Sequence, residues 1–181
     1  MDDLWVFGYG SLMWRPGFEH VEAVQATIHG WHRSLCVYSH VHRGTCAAPG
    51  LVLGLDTGGS CRGMAFRVEA SRREAVIAYL REREQVTMVY RELWRPIHLH
   101  GGEERVVEAL VYAADPGHEQ YCAELEREET LRLVRQGHGI SGACADYVLN
   151  TVAHLEERGI HDASLAWLAA RLIEDRVPDT D

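Results

Sequence analysis

The amino-acid sequence predicts an α+β protein, β-rich over its first two-thirds and helical in its last third. Three observations carry this expectation: short apolar runs punctuated by glycine up to Ala113, two longer β-like stretches meeting at Gly101-Gly102, and helix-spaced apolar residues after Pro116.

Leu4 to Phe7 reads as a buried strand stopped at Gly8, and Val21 to Val37 as two strand-like stretches meeting near Gly30 and Trp31. Leu51 to Leu55 and Gly63 to Val68 are apolar runs on either side of Asp56-Thr57-Gly58-Gly59-Ser60. That segment has the composition of a turn, so a hairpin is expected. Ser71-Arg72-Arg73-Glu74 fits a capping box, with the serine oxygen accepting from an orphan N–H and the glutamate reaching back to the cap's amide. The helix it starts carries Val76, Ile77 and Leu80 on one face and runs to about Arg81 or Arg83, which leaves Glu84 at or just beyond its end. Val86 to His100 and Arg105 to Ala113 form a second hairpin, with glycine supplying positive φ at the turn. Glu119 to Val134 reads as one or two helices ended by Gly137, and Gly142 to Arg158 as another stopped by Gly159. A last helix begins at the cap Asp162 and carries Leu165, Leu168, Leu172 and Ile173 ahead of an acidic tail.

With 181 residues, one domain spanning 1–181 is the expectation. The net charge of −9 argues against a phosphate-backbone partner and leaves small-molecule chemistry as the better reading. The N-terminal residues have no positive region followed by a long apolar one, and no stretch approaches a membrane span. A cytoplasmic protein is therefore expected, with no membrane, nucleic-acid or obligate protein partner. The five cysteines, Cys36, Cys46, Cys61, Cys122 and Cys144, include no CxxC pair and read as free thiols.

The segment richest in chemistry is Val6-Phe7-Gly8-Tyr9-Gly10-Ser11-Leu12-Met13-Trp14, an apolar strand running into a glycine-flanked turn. Such a turn lets backbone N–H groups meet a carboxylate, a phosphate or a developing oxyanion, and it serves equally well as a purely structural bend. It lacks the Gly-Lys-Ser/Thr ending of a phosphate loop and the third glycine of a dinucleotide fingerprint. His40-Val-His42 and His98-Leu-His100 place pairs of histidines on one strand face, but no third ligand is spaced to join them. They read as exposed strand histidines, and no metal or cofactor is expected.

Tyr9-Gly10-Ser11-Leu12 resembles the substrate loop of the γ-glutamyl cyclotransferases. Pro16-Gly17-Phe18, Gly30-Trp31-His32-Arg33, Arg43-Gly44-Thr45, Pro49 to Leu55, Gly59 to Phe66, the run Tyr79 to Glu84 followed by Tyr90, and Ser141-Gly142 with Asp146-Tyr147 are similar in order and spacing to the ChaC branch. The resemblance spans Leu4 to Leu155. It implies a small mixed barrel-like sheet with packed helices, and a glutamate facing the loop across a cavity. Arg83-Glu84, six residues before Tyr90, aligns with the family's Arg-Glu pair and implies Glu84, rather than Glu82, as the catalytic acid; on composition alone Glu84 reads as a solvated charge. The family's Val-Arg-Glu-Ala is here Glu82-Arg83-Glu84-Gln85.

The implied activity is a lyase reaction on glutathione that yields 5-oxoproline and cysteinylglycine. The substrate's own α-amine closes a lactam on its γ-carbonyl, so one carboxylate that takes and returns a proton suffices. The implied substrate-binding residues are Tyr9, Gly10, Ser11 and Leu12, with Arg43, Tyr90 and Tyr147 as further candidates. For Arg43 the alternative is a surface salt bridge, and for the two tyrosines a place in the core. The rival readings are cyclotransfer on other γ-glutamyl amino acids or amines, and a non-catalytic ligand-binding module of the same fold.

Overall fold

The computed structural model describes residues 2–85, 87–102 and 105–176. The chain divides into two compact units. The first comprises the chain to Ser34 with Leu53–Tyr121, and the second Leu35–Val52 with the chain from Cys122 onward.

Five strands close into a barrel: β1 (Leu4–Gly8), β2 (Glu22–Ser39), β3 (Gly50–Val68), β4 (Tyr90–Leu99) and β5 (Arg105–Ala114), in the spatial order β1-β3-β2-β4-β5. All residues of β1 are buried, as its unbroken apolar run requires. It pairs antiparallel with β3, Leu4 opposite Val68 and Gly8 opposite Met64, and parallel with β5, Val6 opposite Leu110, which closes the ring. The β4–β5 hairpin forms as expected, with Gly101 and Gly102 at φ +92° and +103°. Its first strand begins at Tyr90; Val86, the expected start, lies outside the described residues.

The expected hairpin within residues 51–68 does not exist. Gly58 and Gly59 do take positive φ, yet β3 runs through them as one strand. His32 Nδ1 lies 3.1 Å from Gly58 O, and Arg67 pairs with Glu22 at 2.8 Å, so β3 finds its partner along β2 and not in itself. β2 is likewise one strand, with Gly30 at φ +80° inside it where two stretches were expected to meet. Glycine at these positions bends long strands and does not end them.

Helix α1 (Arg73–Glu84) follows a single 3-10 turn at Ala70–Arg72. No side chain caps either start, so the Ser71 capping box is absent. The 3-10 turn takes up the residues the box would have used, and the Ala70 N–H finds its acceptor in Asp3 Oδ1 at 3.0 Å, just ahead of β1. Val76, Ile77 and Leu80 pack with Leu4, Val6, Leu12, Val68, Leu110 and Tyr112 into one cluster. Fully burying each such side chain stabilises by about 1.5–3 kcal/mol, which fixes the helix on the barrel and sets the height at which it ends.

In the second unit, α2 (Arg127–Gln136), a two-stranded ribbon β6 (His138–Gly139) and β7 (Gly142–Ala143), α3 (Cys144–Glu157) and α4 (Ala163–Glu174) follow in order. Residues 119–126 are not helical, contrary to expectation. Ala123 takes φ +54°, and the Cys122 N–H is engaged by Cys36 O. Gly159 (φ +63°) follows α3, and Asp162 caps α4 by accepting from the Leu165 N–H at 3.1 Å, both as read from the sequence. The acidic tail beyond Arg176 lies outside the described residues. No helix among the described residues is long and apolar enough to cross a membrane.

Candidate active site

The Tyr9–Leu12 turn leaves the buried end of β1 and tightens into one 3-10 turn, Ser11–Met13. Gly8 is required at its entry, because a Cβ there would sit 2.9 Å from Leu12 Cβ. Met13 N–H bonds Gly10 O at 2.9 Å and Arg15 N–H bonds Ser11 O at 2.8 Å. Among the described residues no acceptor meets the N–H groups of Gly10, Ser11 and Leu12, which are the orphan donors at the start of such a turn. Tyr9, Gly10 and Leu12 are buried, whereas Ser11 is exposed.

Two arginines hold this turn, and the sequence singled out neither for that role. Arg33, from β2, donates from Nε to Tyr9 O at 2.6 Å and from Nη2 to Arg62 O at 2.7 Å. Arg83, from the last turn of α1, donates from Nη2 to Ser11 Oγ at 3.0 Å and from Nη1 to Arg15 O at 2.6 Å, with Pro16 O at 3.2 Å and Tyr79 Oη at 3.1 Å. Gly17, at φ +75°, completes the clamp: a Cβ at this position would overlap the Tyr79 hydroxyl. The signal for Arg83 lay in its pairing with Glu84 and its single-turn spacing from Tyr79. Arg33 had no local signal beyond its place in Gly30-Trp31-His32-Arg33.

Glu84 is the last residue of α1, with Gln85 as the cap. Its side chain is 18% exposed, and its Oε1 lies 3.2 Å from Arg83 Nε. The same guanidinium thus meets the Glu84 carboxylate at Nε, as an ion pair without a hydrogen bond, and the Ser11 hydroxyl at Nη2. Burial raises the Glu84 pKa above the usual carboxylate value, with Arg83 opposing. On β5 nearby, the Tyr112 hydroxyl donates to Glu92 Oε2 at 3.1 Å. Its pKa is pushed up by burial first, then by Glu92, and to a lesser degree by Glu84.

Tyr90, at the head of β4, donates to Leu53 O at 2.7 Å and packs against the cluster that contains Leu12. Leu53 in turn comes 3.5 Å from where a Gly10 Cβ would stand. The first unit thus gathers the turn, Glu84 and Tyr90. The other two candidates, Arg43 and Tyr147, belong to the second unit, where they meet each other. The Arg43 guanidinium lies 5.4 Å from the Tyr147 ring centre, and its Nη1 donates to Ser141 O and Ala143 O. Among the described residues no carboxylate pairs with Arg43.

A closed five-stranded mixed barrel with four helices is the architecture of the γ-glutamylcyclotransferase-like fold. In solved structures it is matched by a yeast γ-glutamyl cyclotransferase specific to glutathione, with a TM-score of 0.84 at 22% identity, covering 97% of this chain and 100% of that one. The chain belongs to the ChaC-like protein family, whose model matches residues 4–174. It is 34% identical over 179 residues to the glutathione-specific γ-glutamylcyclotransferase of Escherichia coli, covering 97% of this chain and 77% of that protein. It is also 34% identical over 148 residues to a glutathione-specific γ-glutamylcyclotransferase 1 of Danio rerio, covering 81% and 76%.

Proposed function

We propose that the protein degrades glutathione by cyclotransfer, with Glu84 as the group that moves the proton and the Tyr9–Leu12 turn as the cradle for the γ-glutamyl head. The observation that carries the site assignment is the carboxylate at the end of α1, mostly shielded from water and joined through one guanidinium to Ser11 of the turn. The substrate's α-ammonium gives a proton to Glu84, and the freed amine attacks the γ-carbonyl. The N–H groups of Gly10, Ser11 and Leu12 take the α-carboxylate or the oxygen that becomes negative. As the C–N bond to the cysteinyl residue breaks, Glu84 returns its proton to the leaving amine, the ring nitrogen gives up its second proton to the same amine, and 5-oxoproline departs beside cysteinylglycine in its ammonium form. A raised pKa suits this exchange, since a base that must also act as an acid works best with a pKa close to the operating pH.

Tyr90 forms a wall of the cradle, its hydroxyl already committed to Leu53 O. Arg43 and Tyr147 are carried as substrate-binding candidates by the family resemblance alone, and within the second unit they contact each other. One family model spans both compact units, which supports a single domain.

The test is release of 5-oxoproline from glutathione by purified protein, with chelator present, beside γ-glutamylalanine and γ-glutamyl-lysine. Glutathione turnover is expected, falling by about 10²–10⁴-fold in Glu84→Gln with the fold retained. Near-wild-type turnover in Glu84→Gln removes that residue from the mechanism. Tight glutathione binding without product would instead favour a non-catalytic module.

A further inference from the structure

We propose that Arg83 is a positioning residue that locks the Tyr9–Pro16 turn to the Glu84 carboxylate, so that the amide cradle and the proton-transferring group keep one fixed relation. The proposal rests on the assignment of Glu84 and the turn made above, and it adds a residue that neither the fold nor the activity assigns.

The geometry is that of a junction. Guanidinium carries five N–H donors in a rigid plane; three of these are hydrogen-bonded here, and Nε makes an ion pair. Nε faces Glu84, one Nη2 donor holds Ser11 Oγ, and the two Nη1 donors are shared among Arg15 O, Pro16 O and Tyr79 Oη. With Nη1 and half of Nη2 committed and Nε set against Glu84, Arg83 is poorly equipped to bind substrate and well equipped to fix its neighbours. Its side chain is 23% exposed; the bonds to Pro16 O and Tyr79 Oη are part-buried, whereas those to Arg15 O and Ser11 Oγ face solvent, so the hold on the turn rests on the number and geometry of the bonds. Tyr79 is itself pinned, by the close approach of Gly17 and by ring contact with Phe18 at 6.4 Å between centres. The guanidinium therefore has little freedom to turn away.

A lysine at this position would keep the charge but lose the plane, and one ammonium cannot reach a hydroxyl, a carboxylate and two carbonyls along separate edges. Charge and geometry are thus separable by mutation. The groups facing Glu84 and Arg83 are Tyr79 on α1, Ser11 in the turn, and Tyr112 on β5, the last bound to Glu92, which Arg81 neutralises.

The experiment measures kcat, KM and the pH profile of glutathione turnover for Arg83→Met and Arg83→Lys, with Glu84→Gln and Ser11→Ala alongside. A displacement of about 1 Å between cradle and base costs on the order of 100-fold, so both Arg83 variants are expected to lose about that much, chiefly in kcat. In Arg83→Met the acid limb of kcat should move to higher pH, since burial then acts on Glu84 unopposed; Arg83→Lys should bring the limb back without restoring kcat. Ser11→Ala added to Arg83→Met should cost less than it does alone, because the bond it removes is already gone. Wild-type kcat and an unmoved acid limb in a folded Arg83→Met overturn the proposal. Should Arg83→Met not fold, wild-type kcat in Arg83→Lys overturns it equally, and a reduced kcat with a wild-type acid limb supports it. In each case an inactive Glu84→Gln confines the failure to Arg83, and an active one places it in the reading of the site.

Discussion

Helix α1 ends beside two arginine–glutamate pairs, Arg81–Glu92 and Arg83–Glu84, that behave in opposite ways. Glu92 and Glu84 both have side chains 18% exposed, so accessible area does not separate them. Their partners do. Glu92 accepts from Arg81 Nε and Nη2, each at 2.8 Å, and from the Tyr112 hydroxyl. Its pKa is held below the ordinary value, first by the Arg81 hydrogen bonds. Among the described residues Glu84 has one cation, at 3.2 Å, and burial pushes its pKa up. A carboxylate satisfied by three donors is locked as an anion. One left with a single off-centre partner keeps its proton within reach, and divergence of this kind between neighbouring acids separates a structural group from a chemical one.

The strongest way to break this contrast is to compare turnover in Glu84→Gln with that in Glu92→Gln. The first should lose about 10²–10⁴-fold, while the second should stay within a few-fold of wild type, since its glutamine still offers an acceptor to Tyr112. Equal losses would mean that the two carboxylates act as one unit. Next in size is Ser11→Pro, which deletes one N–H of the cradle and the hydroxyl that meets Arg83 Nη2. A loss of about 10²–10³-fold in kcat/KM is expected, by analogy with removing one oxyanion donor. Turnover unaffected by the proline would exclude the Ser11 amide from the site.

A smaller effect sharpens the contrast through stability. Because the folded-state pKa of Glu84 is raised, its ionisation costs folding free energy. The group's contribution is fully present below the ordinary glutamate value, near about 4.3, and is lost as pH rises through the raised value. Glu84→Gln cannot ionise, so its Tm relative to wild type should climb between pH 4 and pH 8. Thermal melts at several pH values with a constant difference would show that burial of the charge is not what shifts this group.

Much of this arrangement was legible in the chain. The β1 strand, the Gly101-Gly102 turn, the Asp162 cap and the end of α1 at Glu84 follow from local patterns, because each is decided by residues within a few positions of one another. The misreadings share an opposite cause. The Ser71 box gave way to a 3-10 turn whose amide bonds Asp3, and the Gly58-Gly59 segment continued as a strand because β2 lay beside it. Arg33 and Arg83 reach the turn from 24 and 72 residues away, and no local periodicity carries such contacts. The family resemblance singled out Glu84 as a candidate, whereas only the structure showed which groups surround it.

The mildest test concerns Glu92 and runs opposite in sign to that of Glu84. Its folded pKa is lowered, so its stabilisation exists above the ordinary glutamate value and disappears as pH falls through the lowered one. Arg81 is 57% exposed, and solvent screens the pair, so Glu92→Gln should cost only about 1 kcal/mol at neutral pH. That cost should shrink at acid pH as the wild-type carboxylate takes up its proton, and it should also shrink in high salt, which screens Arg81. A Glu92→Gln penalty that persists unchanged at low pH and high salt would place its origin in packing around Tyr112, and the difference between the two glutamates would then be steric and not electrostatic.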